Sequence, residues 1–372
     1  MESDDCIYTC ALGKVFAYRC SDGRRLIDAF GSPSSVFSAG RSELRAVMHN
    51  ADVFVELLCD PALLDWACDE VSWAADNGVG LFPYYDRRYP RRLAECEDAP
   101  LLLYCKGGAD LNTSRALSVV GTRKSSWYGR DSCRRIISRL GALEEKPLIV
   151  SGLALGIDGC AHKAALEAGL PTVAVLPGGI DEIYPRQHLE LAERIAAEGA
   201  LVTDFARRTA PAAFTFVRRN RIIAGMSDAT LLVESYARGG GLITVSLAES
   251  YGREVFAVPG RLSDYSFEGC HDAIRKNTAQ IVAGHDTVPV AMGWMQDGAR
   301  SRKKAHPGGR DLSPLKKDIV RLISERASLS ADEVSVLLGQ DIRDVLSSLS
   351  ELEVEGVAFS EFGGKYVLSG SS

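Results

Sequence analysis

Six short apolar runs punctuate the middle of the chain: Ala116–Val120, Leu148–Val150, Thr172–Leu176, Leu201–Thr203, Ala229–Val233 and Glu254–Val258. Five of them lead into glycine-bearing loops, and amphipathic segments lie between them. Cys133, Ile136, Ile137 and Leu140 share one face of a helix, and Ala161, Ala164, Ala165 and Ala168 form a small-residue stripe on the next. Strands alternating with helices predict an α/β fold: a parallel sheet, covered on both faces, with right-handed crossovers. Ligands of such sheets bind beyond the carboxyl ends of the strands, the edge to which the glycine loops belong. Gly121, Arg123, Ser151, Gly152 and Gly240 are therefore expected to converge there. Glycine lets backbone N–H groups approach a phosphate, and Ser151 and Thr244 add hydroxyl donors.

A basic cluster strengthens that expectation. Arg218, Arg219 and Arg221 surround Asn220 at the predicted mouth of an apolar helix that runs into the Ala229–Val233 strand. Free N–H groups at a helix start and guanidinium forks both favour oxyanions, so a polyphosphate ligand is expected. Taken singly, each glycine reads as a tight turn and the arginines as solvated or salt-bridged surface charges. Their convergence favours the ligand. G-T-R-K-S-S after the first strand is not G-x-G-x-x-G, and no G-x-x-x-x-G-K-[ST] occurs, which argues against a dinucleotide enzyme or a P-loop NTPase.

V-V-G-T-R at Val119–Arg123, S-G-L-A-L-G-I-D-G-C-A-H at Ser151–His162, P-G-G-I-D-E-I-Y-P at Pro177–Pro185 and R-N-R-I-I-A-G-M-S at Arg219–Ser227 are followed by G-G-G-L-I-T and by G-R-E-V-F-A-V-P-G at Gly252–Gly260. In this order, with Y-Y-D-R-R-Y-P-R-R-L before them, they resemble the DNA-processing protein A family, also called Smf. The resemblance implies an extended Rossmann-like domain that binds and protects single-stranded DNA, forms a homodimer and loads the RecA recombinase in natural transformation. Strands covered by single-strand-binding protein belong to the same picture. Position by position it implies a DNA-binding set of Gly121, Arg123, Ser151, Gly152, Arg219, Asn220, Arg221, Gly240 and Thr244. Arg186, directly after the Pro177–Pro185 motif, and Phe216, a candidate stacking face, complete it. No enzymatic activity, cofactor or metal is implied. Leu155 stands where the family often has lysine, Val217 where it has proline and Gly240 where it has serine, which bears on affinity.

The length of 372 residues predicts two or three domains. Residues 1–80 read as a small helical domain, with Leu26, Phe30, Leu44, Val47, Phe54 and Leu57 as core, and the resemblance makes it sterile-alpha-motif-like. Residues 81–290 are the Rossmann-like DNA-binding domain, and residues 291–312 a charged Gly/Pro linker. Residues 313–372 outline a winged helix, with a two-stranded wing from Gly356–Phe359 and Lys365–Leu368. Its would-be recognition helix carries Asp341, Asp344, Glu351 and Glu353 against Arg343, which suits protein contact or stabilisation better than a phosphate-lined groove. No apolar run reaches about 18 residues and no signal peptide opens the chain, so a soluble cytoplasmic protein without membrane insertion is expected. The 10 cysteines lack C-x-x-C spacing and read as reduced thiols. A net charge of -6 is unfavourable for DNA as a whole, yet clusters such as Arg87, Arg88, Arg91 and Arg92 allow a locally positive groove.

The alternative is an enzyme. Pro177-Gly178-Gly179 resembles a loop of the cytokinin-activating phosphoribohydrolases, which cleave nucleoside monophosphates, and Asp158, His162, Asp181 and Glu182 are conceivable acid/base groups. The loop continues Ile180-Asp181-Glu182 where those enzymes carry small residues, and Asp158 reads as a helix cap. Binding rather than catalysis is expected.

Overall fold

Strands whose side chains are buried on both faces have to sit inside a sheet covered by helices, and the apolar runs do so in this computed structural model. The structure describes residues 2–48, 52–295, 312–326, 328–361 and 364–368. They divide into two compact units, Met1–Asp297 and Gly298–Ser372. The first unit opens with helices α1 (Glu2–Val15), α2 (Cys20–Phe30), α3 (Pro33–Ser38), α4 (Arg41–Met48), α5 (Asp52–Leu58) and α6 (Pro61–Asp76). Gly31, in the left-handed region at φ 86, caps α2, and the Ser32 hydroxyl accepts from the Ser35 N–H to start α3. Leu26 and Leu44 are buried as expected, and Phe30, Val47 and Phe54 pack against them in part. Leu57 is exposed instead, because Val55 and Leu58 on the same helix turn inward. The helical region also shares a core with the sheet: Cys10, Ala11, Leu63 and Ala67 pack with Leu102, Tyr104 and Leu201.

The sheet contains β1 (Gly80–Pro83), β2 (Leu102–Gly107), β3 (Ala116–Val120), β4 (Leu148–Ser151), β5 (Thr172–Val175), β6 (Ala200–Thr203), β7 (Ala229–Leu232), β8 (Glu254–Ala257) and β9 (Gln280–Ile281). The strand order is β1-β2-β6-β5-β4-β3-β7-β8-β9. From β6 to β9 the pairing is parallel, but β2 runs antiparallel to both β6 and β1, so the sheet is mixed rather than all parallel. The order reverses at β3, with β4 to β6 on one side and β7 to β9 on the other. Helices α7 (Arg91–Ala94), α8 (Trp127–Gly141), α9 (Ile157–Glu167), α10 (Leu189–Glu198), α11 (Ala213–Gly225), α12 (Gly241–Ser250), α13 (Glu268–Arg275) and α14 (Thr287–Ala291) complete the unit.

In the second unit α15 (Pro314–Arg326), β10 (Leu329–Ser330), α16 (Ala331–Leu338), α17 (Ile342–Val354), β11 (Ala358–Glu361) and β12 (Lys365–Leu368) follow one another. The sheet is three-stranded, in the order β10-β12-β11, where the sequence predicts two strands. Leu329–Ser330 pairs with Lys365–Tyr366 and is too short to show an alternating pattern. Lys316 bridges Glu351 and Glu355, so part of the acidic face of α17 is neutralised within the unit. Most of the expected linker, from 296 to 311, lies outside the described residues. Among the described residues no helix is long and apolar enough to cross a membrane.

Candidate nucleic-acid interface

The crevice where the strand order reverses is filled by the protein itself. Glu234, fully buried just past β7, accepts from the Ser126 N–H at 2.9 Å and the Ser126 hydroxyl at 3.0 Å. Ser126 in turn accepts from the Gly129 N–H at 3.0 Å and caps α8. A Cβ at Gly129 would overlap the Glu234 carboxylate, and one at Gly121 would stand 2.6 Å from the Ile157 side chain. These glycines allow close packing, and an internal carboxylate takes the loop at the start of α8.

The second loop is locked in the same way. Ser151 is buried and donates its hydroxyl to the Val119 carbonyl at 2.6 Å. A Cβ at Gly152 would overlap the Arg219 guanidinium, which lies beneath the loop and donates to the Val175 carbonyl at 3.0 Å. Asp158 accepts from the Gly152 and Ala154 N–H groups, so it braces this loop rather than capping α9, whose N-cap is Gly156. Burial raises the Asp158 pKa, with Arg219 opposing, and burial pulls Arg219 down to about 10.

The arginine cluster does not stand at a helix mouth. Helix α11 begins at Ala213, and Thr215 closes its first turn by accepting from the Ala212 N–H at 2.9 Å. Arg218, Arg219 and Arg221 therefore fall in later turns, with Arg218 and Arg221 on one face and Arg219 on another. Arg221, 7% exposed, pairs with Asp204 at 2.6 Å, and its Nη1 lies 3.6 Å from the Cys20 thiol on α2. Arg218 reaches the same Asp204 oxygen at 2.7 Å. Burial opposes the charge on Arg221, but Asp204, Cys20 and Asp98 together outweigh it and raise the pKa above its ordinary value. Asn220 is half-buried, Gly240 is exposed just before α12, and Thr244 is buried within that helix.

What reaches the surface is a smaller constellation. Arg123 is exposed, and its guanidinium carbon lies 4.7 Å from the centre of the Phe216 ring. Phe216 meets Tyr184 edge-on, with centroids 5.5 Å apart and planes at 71°. Tyr184, 43% exposed, lies outside the set that the sequence suggests, since its place against Phe216 leaves no mark in the sequence. Arg186 is exposed two residues later, and Lys124 is exposed beside Arg123. A guanidinium stacked on one ring of an aromatic pair offers a cation to a phosphate and flat faces to bases.

Among the residues of the enzyme alternative, Asp181 accepts from the Arg208 N–H at 3.0 Å and Glu182 is exposed. His162 is fully buried, its Nδ1 2.8 Å from Thr172 Oγ1. That hydroxyl donates to the Ile149 carbonyl, so Nδ1 carries the proton and Nε2 is left without a partner among the described residues. Burial, reinforced by His188 and Arg219, pulls the His162 pKa down to about 3. A depressed histidine pKa contributes stability above its unfolded value near 6.5, and that stability is lost as pH falls toward 3. Urea unfolding at pH 7.5 and pH 5 will show a His162 share of about 2 kcal/mol in the acid-side loss. His162→Gln will lack that share; an unchanged pH slope in the variant contradicts the assignment.

Residues 80–292 match the DNA recombination-mediator protein A family. Protein Smf of Escherichia coli K12 is 34% identical over 304 residues, spanning 79% of this chain and 79% of that one. The X-ray structure of DNA processing protein A from Streptococcus pneumoniae matches with a TM-score of 0.66 at 32% identity, over 76% of this chain and 96% of that one. DNA processing protein A from Helicobacter pylori, whose structure addresses a single-stranded DNA binding mode of that protein, matches with a TM-score of 0.52 at 25% identity, over 57% of this chain and 95% of that one. The ordered motifs, the mixed nine-stranded sheet that carries them and these matches agree, and the chain belongs to the DNA processing protein A (DprA/Smf) family.

Proposed function

We propose that this protein is a single-stranded DNA-binding recombination mediator that protects incoming strands and helps a RecA-type recombinase assemble on them during natural transformation. The observation that carries the reading is the Arg123–Phe216–Tyr184 stack beyond the strand ends, with Arg123 and Tyr184 exposed and Phe216 half-buried between them. The Helicobacter pylori relative, concerned with single-stranded DNA, supports it. In this reading Arg123, Lys124, Tyr184, Arg186 and Phe216 touch the strand. Gly121, Ser151, Gly152 and Arg219 hold the two loops beneath them, Gly240 and Thr244 set the facing helix start, and Asn220 and Arg221 fix α11. The central sheet domain is read as Rossmann-like, the N-terminal helices as sterile-alpha-motif-like and the second unit as a winged helix. A homodimer acting on strands covered by single-strand-binding protein, in the cytoplasm, fits the family. Two short surfaces in a dimer raise apparent affinity through effective concentration while leaving neighbouring nucleotides free.

A hydrolase of nucleoside monophosphates is the weaker reading. Gly178 and Gly179 pack against the carbonyls of Thr209 and Ala206, where a sugar phosphate would have to enter.

Fluorescent oligo-dT is expected to bind more tightly than duplex of equal length. With about three phosphates neutralised, log affinity falls against log salt with a slope of roughly -2. On coated single strands the protein is expected to stimulate strand exchange by its cognate recombinase. Equal affinity for duplex, or no stimulation, overturns the proposal.

A further inference from the structure

A cavity of about 320 Å³ lies away from the stack, between α1, α6 and the segment joining β6 to α11. Lys14, Trp66, Tyr104, Asp204, Arg207 and Arg218 line it. Lys14 Nζ sits 3.7 Å from the centre of the Trp66 ring. Arg207 is balanced by Asp69 and Glu70. Arg218 is sandwiched between Tyr18 at 4.4 Å and Phe205 at 5.0 Å, with its side chain only 10% exposed. Its Nη2 holds Asp204, but Nε and Nη1 have no acceptor and Asp204 Oδ1 has no donor among the described residues. Of the charged groups that line the cavity, Lys14, Arg207 and Arg218 thus stand against Asp204, with Asp69 and Glu70 pairing Arg207 and Arg221 sharing Asp204 from behind the wall.

Donors and acceptors buried behind a cavity wall without a partner are costly, and here a partner reaches them only once the outer ring of the sandwich moves aside. The partner has to supply an anionic acceptor for Arg218 and Lys14, a hydroxyl or amino donor for Asp204, and a flat ring for Trp66. We propose that this cavity binds a nucleotide unit, either a free nucleoside monophosphate or the terminal unit of a bound strand. It brings together phosphate, sugar hydroxyl and base, and the volume falls at the small end of the range of about 300–1,000 Å³ usual for small-molecule sites. Tyr18, 69% exposed in the turn between α1 and α2, is the outer half of the sandwich, so it can yield to a base without disturbing the core.

The test uses the full chain titrated calorimetrically with AMP, and with inorganic phosphate in parallel. Wild type is expected to bind AMP saturably and inorganic phosphate roughly tenfold more weakly. Lys14→Ala and Trp66→Ala are each expected to lose roughly tenfold in AMP affinity, since each removes half of a cation–ring pair. Lys14 is exposed, so its variant probes the site without risk to the fold, and Trp66→Ala is compared at matched thermal melts. Arg123→Ala is expected to bind AMP like wild type, which separates this site from the strand-binding stack. Displacement of AMP by a 5′-phosphorylated oligonucleotide identifies a strand end as the source, and failure to displace it identifies a free nucleotide. No saturable AMP binding by wild type, full affinity in Lys14→Ala, or loss of binding in Arg123→Ala overturns the proposal.

Discussion

Asp204→Asn is expected to lower the unfolding free energy by about 3–5 kcal/mol, read as a shift of the urea midpoint. One oxygen of this carboxylate, 1% exposed, holds Arg218 at 2.7 Å and Arg221 at 2.6 Å, both side chains themselves nearly buried. Without its charge two guanidinium groups remain side by side in a poorly solvated site. Arg221 also reaches Cys20 on α2, so the same pair ties the N-terminal helices to α11. Combining Asp204→Asn with Arg221→Met removes one of the two cations and is expected to recover part of the loss. An Asp204→Asn protein as stable as wild type contradicts this account. The consequence for function is specific: Arg221 variants that bind DNA poorly will also melt early, whereas Arg123 variants will not.

The strands were legible because each is a short apolar run closed by a loop, and the observed β3 to β8 fall within a residue of the expected bounds at each end. Strand β9 is two exposed residues and carries no pattern. Strand β2 is apolar and closes on Gly107-Gly108, but no helix follows it before β3, and its antiparallel pairing to β6 is invisible without the fold. Gly121 and Gly152 stand at close approaches within the protein, a role that the sequence alone does not separate from phosphate binding. A glycine that lets a phosphate approach and one that lets Glu234 or Arg219 approach look alike until the partner is placed. The arginines show the same limit. Asp204 lies 17 residues before Arg221, and Asp158 far upstream of Arg219, so their neutralisation arises only when the strands bring those loops together. Arg123 and Phe216 were readable as a cation and a ring, whereas Tyr184 was not, since its role comes from its position against Phe216.

Replacing Arg123 and Phe216 together by alanine is expected to weaken single-stranded DNA binding by about 2–4 kcal/mol, from a charge-assisted phosphate contact and a stacked base. Each single change is expected to cost about 1–3 kcal/mol, and the double less than their sum, because the guanidinium rests on the ring and loses its orientation with it. Arg123 is exposed and Phe216 half-buried, so thermal melts should stay close to wild type. Arg123→Lys separates charge from shape: it keeps the cation but not the planar face that stacks on Phe216, and is expected to fall between wild type and Arg123→Ala. Binding curves that superpose for wild type and the double variant would remove the stack from the DNA path. A loss in the double variant equal to that of Arg123→Ala alone would instead confine Phe216 to orienting the arginine, leaving Tyr184 as the remaining face on which a base can stack.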